Sequence, residues 1–317
     1  MNSSTETQAD TRITAAICAY NAAHHLADVV NSVMAQTLPA DAYEVLVVDN
    51  NSTDETTSVL HELQERFGHR LRMVSETQQG LSHARNRALA QAAAPLIAFL
   101  DADAVAEEPW LKSLADVFDA HPRAGVVGGR IEVQWDAPKP RWWDDRLDEA
   151  MGRFSPSGEQ TQLRYPRFPY GGNFAVRSVA IDEVGGFLTH LGRSGAGLLA
   201  GEEGELCLRM EQHDWEIHYT PAAPVHHRAT GKRLTRRFIL RRAFNHGRTQ
   251  YMLEARHGFE SGLYLSRARV LSNLLANLIR VNWNLPYLKF ICFRIGYHYQ
   301  RTISERPQPV LPCPGVA

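Results

Sequence analysis

The chain has 317 residues, 44% hydrophobic and 22% charged, which is typical of a globular protein with one large domain, or one domain and an appendage. No uncharged apolar run approaches the ~18 residues that cross a bilayer, so the sequence predicts that the protein is not integral to a membrane. The formal net charge of −1 is unevenly distributed: residues 1–216 carry 18 Lys and Arg against 32 Asp and Glu, and residues 217–317 carry 16 against 3. The basic third predicts an anionic partner, either a membrane surface or nucleic acid, unless it packs against the acidic part of the chain.

The sequence also carries signals about cellular location. Residues 1–12 are polar and acidic, without the apolar segment of a signal peptide. The four cysteines are scattered, with no C-x-x-C pair and no metal-ligand spacing, as expected for buried thiols in a reducing compartment. We therefore expect a cytoplasmic protein.

The first hundred residues alternate four times between apolar strands and helical patterns. Strands are predicted at 13–18, 43–48, 71–74 and 96–100. Helices are predicted at about 26–34, 53–67 and 81–92, the second of them capped by Ser52 or Thr53. Strands of this kind favour a sheet that is buried on both faces, so the pattern predicts an α/β fold with a doubly wound, mostly parallel central sheet flanked by helices.

Two common nucleotide-binding folds are excluded. Neither the G-x-G-x-x-G of a dinucleotide-binding turn nor the G-x-x-x-x-G-K-[ST] of a P-loop is present. Beyond residue 100, the pattern predicts a helix at 110–120, a strand at 126–133, a long irregular segment at 135–168, a helix within 198–215, a strand and turn at 217–224, and a helical region from Leu234 onwards.

Asp101 and Asp103 follow the fourth predicted strand directly. A strand that ends in two carboxylates places both at the carboxyl edge of the sheet, where open α/β sheets hold their ligands. Paired carboxylates there suit Mn²⁺ or Mg²⁺, and such an ion suits a diphosphate. The alternative is an ordinary acidic turn after a strand.

The order of several motifs identifies a resemblance. The motifs are Ala19-Tyr20-Asn21, Val47 to Asp54, Gly80 to Asn86, Asp101-Ala102-Asp103, Gly171 to Arg177, Val184 to Phe187, and Gly201 to Leu206. Together they resemble the family 2 glycosyltransferases with the GT-A fold, over about residues 13–248. The resemblance implies a catalytic domain at 12–233, with a nucleotide-sugar half at 12–134 and an acceptor half at 135–233. A basic helical region follows at 234–304, and residues 1–11 and 305–317 are expected to be disordered tails.

The resemblance also implies roles for individual residues. Asp49 would accept a hydrogen bond from the nucleobase, and Arg85 would face ribose or phosphate; the alternatives are a turn carboxylate and a solvated arginine. Asp103 would ligate the metal, Asp101 would contact ribose or a metal-bound water, and His227 is favoured over His226 as a further metal ligand. The full set of expected substrate-binding residues is Ala19, Tyr20, Asn21, Asp49, Asn51, Arg85, Asp101, Ala102, Gly172 and Asn173.

A catalytic base is expected at the start of the helix after Gly201. The family typically has a Glu-Asp pair there, with the Asp as the base, whereas this chain has Glu202-Glu203. The resemblance implies Glu203 as the base, because its position matches that of the family's Asp and a carboxylate remains there, with Glu202 as the second choice. The helix N-terminus favours the ionised form that a base requires. The alternative is an acidic first turn that only caps the helix.

The resemblance therefore implies an inverting glycosyltransferase, dependent on Mn²⁺ or Mg²⁺, that moves a sugar from a nucleoside-diphosphate sugar to a hydroxyl of a glycan or a lipid-linked acceptor. A UDP-sugar is the leading donor, with guanosine and deoxythymidine donors open. The arginines at 233, 236, 237, 241 and 242, with an apolar face at Val270–Trp283, predict peripheral docking on the inner face of the plasma membrane. Two alternatives stay open: a sugar-nucleotide-binding regulator, since Ala19 and Glu203 depart from the family pattern, and a nucleic-acid-binding protein using residues 226–248. No nucleic-acid recognition motif accompanies that stripe, so we expect no nucleic-acid partner.

Overall fold

A computed structural model of the chain describes residues 11–194, 199–258 and 285–304. The chain divides into two compact units. The sheet unit comprises Met1–Gly197 and Glu202–Leu234, and the helical unit comprises Leu198–Gly201 and Thr235–Ala317. The predicted tails, apart from Thr11, and the predicted apolar face at Val270–Trp283 lie outside the described residues.

The first half of the sheet unit has the predicted βα alternation. The strands are β1 (Ile13–Ala19), β2 (Tyr43–Asp49), β3 (Leu71–Ser75) and β4 (Leu96–Asp101). The helices between them are α1 (Ala23–Met34), α2 (Thr56–Phe67) and α3 (Leu81–Gln91), and a 3₁₀ turn (Gly68–Arg70) leads into β3. The strands pair in parallel in the order β3-β2-β1-β4. The apolar runs of β1, β2 and β4 are buried almost without interruption, whereas β3, at the edge of the sheet, is buried only at Leu71.

The predicted cap of α2 is wrong. Ser52 and Thr53 are not at the helix start; both are hydrogen-bonded to Asn21 across the end of β1, through Ser52 Oγ and the Thr53 amide. The residue at the N-cap is Glu55, whose side chain makes no capping hydrogen bond, and Asp54 Oδ1 accepts a hydrogen bond from the Thr56 amide at 3.0 Å.

The second half of the sheet unit adds strands of both directions. Its strands are β5 (Ala104–Ala106), β6 (Ala124–Trp135), β7 (Thr161–Leu163), β8 (Asn173–Arg177) and β9 (Glu216–Ala229). Its helices are α4 (Trp110–Ala120), α5 (Ser178–Val184) and α6 (Glu202–Gln212), with 3₁₀ turns at Asp145–Met151 and Gly231–Arg233. The sheet order is β3-β2-β1-β4-β8-β6-β9-β5, with β7 also on β9. Because β8 runs antiparallel to both β4 and β6, the sheet is mixed, and its parallel first half carries the doubly wound character that the sequence predicts.

The predicted end of the last strand is wrong. A strand and turn at 217–224 is expected from the two prolines, yet β9 continues to Ala229. The register between β9 and β6 shifts between the pairs Gly129↔Thr220 and Ile131↔Val225. Pro221 and Pro224 lie within this irregularity, where residues of β9 are not paired with β6. The amide hydrogen that proline lacks is therefore not needed for a bond between the two strands. The segment 135–168, expected to be irregular, contains β7 and one 3₁₀ turn.

The described part of the helical unit consists mainly of α7 (Arg236–His257) and α8 (Leu285–Ser304). Thr235 caps α7, since its hydroxyl accepts a hydrogen bond from the Phe238 amide at 3.2 Å. The two helices approach closely at Gly247 and Gly296, where an added Cβ would overlap a backbone carbonyl of the partner helix. None of the described helices combines the length and the apolar character that crossing a bilayer requires.

Candidate active site

The site lies where β1, β2 and β4 end side by side. Residue pairing places Ala19 beside Asp49, and Cys18 beside Asp101. The Asn50 amide donates to the Ala19 carbonyl at 2.8 Å, which extends the contact one residue past the strand ends. Three of the sequence motifs therefore meet at one edge of the sheet, as parallel strands dictate.

Asp49 is held rigidly in the first of these motifs. Its carboxylate accepts hydrogen bonds from the Ser52 amide at 3.1 Å and from the Thr57 hydroxyl at 2.8 Å. Asn21 and Asn51 adopt positive φ angles of 49° and 59°, and Tyr20 is exposed at the same edge. Asp49 is therefore a turn carboxylate, which was the alternative to a contact with the nucleobase. The turn fixes the direction of its side chain.

A residue that the sequence analysis missed joins the loops behind this edge. Asn50 is buried; its amide nitrogen donates to the carbonyls of Glu76 and Gln78, and its oxygen accepts from the Gly80 amide. It connects the end of β2 with the loop that leads into α3. Its place between Asp49 and Asn51 gave no signal of this role, because the partners lie far along the chain.

Asp101, Asp103 and His227 form a cluster with the donor set of a metal site. One ligand atom from each side chain lies within 4.8 Å of those from the other two. His227 Nε2 is 3.3 Å from Asp103 Oδ1. The cluster arises because β5 pairs with β9, setting Ala104 opposite His227. The buried His227 Nδ1 has no hydrogen-bond partner among the described residues, and the two carboxylates supply the hard oxygen atoms that Mn²⁺ and Mg²⁺ prefer.

Positive charge surrounds Asp103. Burial alone would raise the pKa of this carboxyl, but His227, Arg233 and Arg193 together lower it to about 2. Arg233 Nη2 lies 3.8 Å from Asp103 Oδ2. Arg193 was missed in the sequence, where it stands in no motif; its loop reaches the site because the Leu81 amide donates to the Arg193 carbonyl. Asp103 is therefore ionised at any physiological pH.

The two adjacent histidines point in different directions, as neighbours on a strand do. His226 Nε2 is 2.8 Å from Glu107 Oε1, in an exposed pair away from the cluster. Only His227 is brought to Asp101 and Asp103. The geometry agrees with the preference for His227 over His226.

Arg85 is neither solvated nor at the surface of the site. Its side chain is 3% exposed, and its Nη1 donates to Glu202 Oε1 at 2.7 Å. Its Nη2 donates to the Gly171 carbonyl at 2.9 Å and lies 3.8 Å from Asp101 Oδ1. The guanidinium also faces three buried aromatic rings: Phe99, Phe174 and Phe187. In the structure, Arg85 therefore joins the Asp101 end of the site to the start of α6.

Glu202 and Glu203 start α6 but have different surroundings. Glu202 is 2% exposed and bonded to Arg85, whereas Glu203 is half-buried and accepts a hydrogen bond from the Gly171 amide at 3.2 Å. Burial and the charge of Glu203 raise the pKa of Glu202 to about 7, against the opposing effect of Arg85.

Gly172 and Asn173 have structural roles. A Cβ on Gly172 would lie 2.8 Å from Asp101 Oδ2, so only glycine lets the backbone approach that carboxylate. Asn173 is fully buried: its oxygen accepts from the Trp110 indole, and its nitrogen donates to the Arg130 and Ala223 carbonyls. The side-chain amide of Asn173 is therefore bonded within the protein and does not face the site, contrary to the expected contact with substrate. Ala102 stands half-buried between the two aspartates.

Comparison with known proteins agrees with this geometry. The model of the glycosyl transferase family 2 matches residues 14–185. The chain is 26% identical over 250 residues to glucosyl-dolichyl phosphate glucuronosyltransferase of Haloferax volcanii, covering 77% of each chain. It is 25% identical over 264 residues to the succinoglycan biosynthesis protein ExoM of Rhizobium meliloti, covering 82% of this chain and 81% of the relative.

Among solved structures, the mannosyltransferase PcManGT of Pyrobaculum calidifontis, in complex with GDP-Man and Mn²⁺, has a similar fold. The match has a TM-score of 0.63 at 20% identity and covers 94% of this chain and 88% of that one. The mixed sheet with flanking helices is that of the GT-A enzymes, as the sequence predicts. The chain belongs to glycosyl transferase family 2 and is a glycosyltransferase of the GT-A fold.

Proposed function

We propose that this glycosyltransferase transfers a sugar, with inversion, from a nucleoside-diphosphate sugar to a hydroxyl group and that it depends on Mn²⁺ or Mg²⁺. The observation that carries the proposal is the convergence of Asp101, Asp103 and His227 at the carboxyl edge of the sheet. An ion bound there neutralises the charge that builds on the departing diphosphate. Asp101 and Asp103 would hold the ion with His227, and Arg233 stands beside Asp103 with a positive charge for the diphosphate.

The donor pocket is proposed to lie between the ends of β1 and β2. Asp49 would accept a hydrogen bond from the base, with the direction of its carboxylate fixed by Ser52 and Thr57. Tyr20 and Asn21 would line the same pocket, as would Ala19 and Asn51. A UDP-sugar is the leading donor.

Glu203 is proposed as the base that removes the proton from the attacking hydroxyl. The support is the contrast within the pair: Glu202 is 2% exposed and bonded to Arg85, whereas Glu203 is half-buried and accepts a hydrogen bond from the Gly171 amide. A single displacement with one base gives inversion.

The acceptor is proposed to be a glycan or a lipid-linked sugar at the inner face of the plasma membrane. The relative from Haloferax volcanii is named for a glucosyl-dolichyl phosphate, which is a lipid-linked sugar. Arg236, Arg237 and Arg241 are exposed on the first turns of α7, so they can meet anionic headgroups. The Val270–Trp283 segment of this proposal lies outside the described residues.

A melting screen tests the donor and the metal together without knowledge of the acceptor. UDP-, GDP- and dTDP-sugars are added to the full chain with Mn²⁺ or with EDTA, and a ligand that binds the folded state raises the melting temperature. We expect one nucleotide class to raise it in Mn²⁺ alone, and Asp103→Asn to lose that shift. Asp116→Asn, an exposed carboxylate on α4, is the matched control and should keep it. A shift that persists in excess EDTA or in Asp103→Asn would contradict the metal assignment.

The regulator alternative is distinguished by turnover. An inactive sugar-nucleotide-binding protein would show the melting shift but release no nucleoside diphosphate when a membrane lipid extract is added as acceptor. Nucleoside diphosphate release that depends on both Mn²⁺ and the extract supports the enzyme.

A further inference from the structure

A second group of side chains with metal-ligand chemistry lies outside the candidate active site. His121 follows α4 directly, and Glu216 and His218 lie on β9. One ligand atom from each of the three lies within 4.8 Å of those from the other two. Glu216 and His218 are two residues apart on one strand, so both side chains project from the same face of the sheet.

Each imidazole in this group has one nitrogen in a hydrogen bond that a metal ion would replace. His218 is 5% exposed, and its Nε2 lies 2.8 Å from Glu216 Oε2. The His121 ring stacks on the His218 ring with centroids 4.1 Å apart. Gln160 Nε2 lies 2.9 Å from His121 Nε2; in this arrangement the amide donates, so the imidazole nitrogen accepts. His121 Nε2 therefore carries a lone pair, which a metal ion would take in place of the Gln160 amide.

We propose that His121, Glu216 and His218 form a second metal site, distinct from the Asp101–Asp103–His227 cluster, and that it takes an imidazole-binding cation such as Zn²⁺. Two imidazoles and one carboxylate form a common donor set for zinc, whereas the active-site cluster, with two carboxylates, suits Mn²⁺ or Mg²⁺. The ion takes the place of the hydrogen between His218 Nε2 and Glu216 Oε2, and the neutral imidazole then carries its proton on Nδ1.

Binding requires a small movement of His121. Zinc lies about 2.0–2.1 Å from imidazole nitrogen, so the three ligand atoms must draw together around it. His218 is fixed, because β9 is paired on both sides there, with Val127 of β6 and Gln162 of β7. His121 is half-buried just after α4, so its side chain, rather than that of His218, must move, and its hydrogen bond to Gln160 breaks. The bound ion then fastens the end of α4 to β9, which stabilises the sheet unit by mass action.

Calorimetric titration with Zn²⁺ tests the site in the full chain, purified without a polyhistidine tag. Asp103→Asn serves as the background, so that the active-site cluster is weakened. We expect Asp103→Asn to bind one equivalent of Zn²⁺. The double variant Asp103→Asn/His121→Gln should lose this equivalent or bind it at least about tenfold more weakly. His61→Gln, which removes an exposed histidine of α2, is the matched control and should retain the equivalent.

Two further measurements keep the test decisive. Glu216→Gln should reproduce the loss seen with His121→Gln, and Co²⁺ added to Asp103→Asn should give the visible absorption of a histidine-ligated ion. Equal Zn²⁺ affinity with and without His121 would overturn the proposal. If circular dichroism shows that His121→Gln and Glu216→Gln are unfolded, the Co²⁺ measurement decides by itself. The absence of Co²⁺ absorption in Asp103→Asn would then overturn the proposal. None of these measurements depends on donor binding, so their results test the second metal site independently of the proposed function.

Discussion

Glu202 and Glu203 show how two identical neighbouring side chains acquire different tasks. The first turn of α6 sends one carboxylate into the protein, where Arg85 meets it, and leaves the other half-buried beside the Gly171 amide. The helix N-terminus favours negative charge at both positions. Burial and the charge of its neighbour raise the pKa of Glu202 to about 7, so the two carboxyl groups differ in their surroundings.

Glu203→Gln should abolish transfer but keep the donor. We expect the Mn²⁺-dependent melting shift to survive and nucleoside diphosphate release to fall by at least about 100-fold, because only proton removal is lost. Glu203→Asp, which draws the carboxylate back by one methylene, should also lower the rate. An active Glu203→Gln beside an inactive Glu202→Gln would reverse the assignment within the pair.

Arg85 is a stability determinant as well as a part of the site. Arg85→Met leaves Glu202 buried without its partner, so we expect the free energy of unfolding in urea to fall by about 3–5 kcal/mol. Adding Glu202→Gln removes the unpaired charge and should restore part of the loss. As a control, Arg87→Met changes an exposed arginine two residues further along α3. This variant should shift the free energy of unfolding by less than about 0.5 kcal/mol. A double variant no more stable than Arg85→Met would show that the two residues are not coupled.

At the scale of elements, Glu44 joins three parts of the first half of the sheet unit. Its carboxylate accepts hydrogen bonds at 2.7 Å from the Thr14 hydroxyl on β1, from Arg72 on β3 and from the Ala93 amide before β4. Burial alone would raise the pKa of Glu44, but these donors together lower it. The folded state therefore favours the ionised form.

This shift makes a definite pH prediction. A lowered pKa in the folded state stabilises the protein above the ordinary glutamate pKa, and the stabilisation is lost as the pH falls through the folded value. Glu44→Gln should lower the free energy of unfolding by about 2 kcal/mol near pH 7 and flatten its decline on acidification to about pH 3. Glu62→Gln, exposed on α2, should leave the wild-type urea profile unchanged. Parallel pH profiles for Glu44→Gln and wild type would contradict the prediction.

The contact between α7 and α8 depends on two glycines. Gly247 and Gly296 each lie against a backbone carbonyl of the other helix, of Phe293 and Phe244 respectively. Gly296→Ala forces the helices apart and should destabilise the helical unit by about 1–3 kcal/mol, seen as faster limited proteolysis and a lower melting temperature. Gly204→Ala is the control, because a Cβ there meets nothing within 4 Å and should stabilise α6 slightly. Unchanged proteolysis in Gly296→Ala would show that the close approach is not required.

Sequence prediction succeeded where an element depends on residues close in the chain, and failed where it depends on residues far apart in the chain. The strands and helices of the first hundred residues were predictable because their apolar periodicity is local, and Asp101 and Asp103 because they end one of those strands. The pairing of Arg85 with Glu202 and the burial of Asn173 depend on contacts across the fold. So does the course of β9 past two prolines, since the bulge that accommodates them is set by β6.

At the scale of the whole molecule, the charge is segregated along the chain. Residues 217–317 carry 16 Lys and Arg against 3 Asp and Glu, and α7 begins in the middle of this basic stretch. Each such cation near an anionic bilayer contributes about 1 kcal/mol of attraction. Salt should weaken that attraction, because exposed charges are screened.

Vesicle co-sedimentation tests membrane docking. Binding should require anionic lipid, fall with added salt, and drop sharply when Arg236, Arg237, Arg241 and Arg242 are all changed to Gln. A control with Arg66, Arg87, Arg141 and Arg146 changed to Gln alters the net charge equally within the sheet unit and should bind as wild type. Equal recovery with neutral and anionic vesicles, or none with either, would reject docking.

During synthesis, β4 leaves the ribosome with one edge that no strand can yet cover. Its neighbour on that side is β8, which begins only at Asn173, and the intervening chain must emerge first. An uncovered edge strand is a template for pairing with other chains, so the nascent protein passes through an interval in which it is prone to aggregate. Asp101 and Asp103 emerge early, but His227 reaches them only with β9. The three proposed metal ligands are therefore assembled only after almost the entire sheet unit has been translated, and a shorter product would carry two of them without the third.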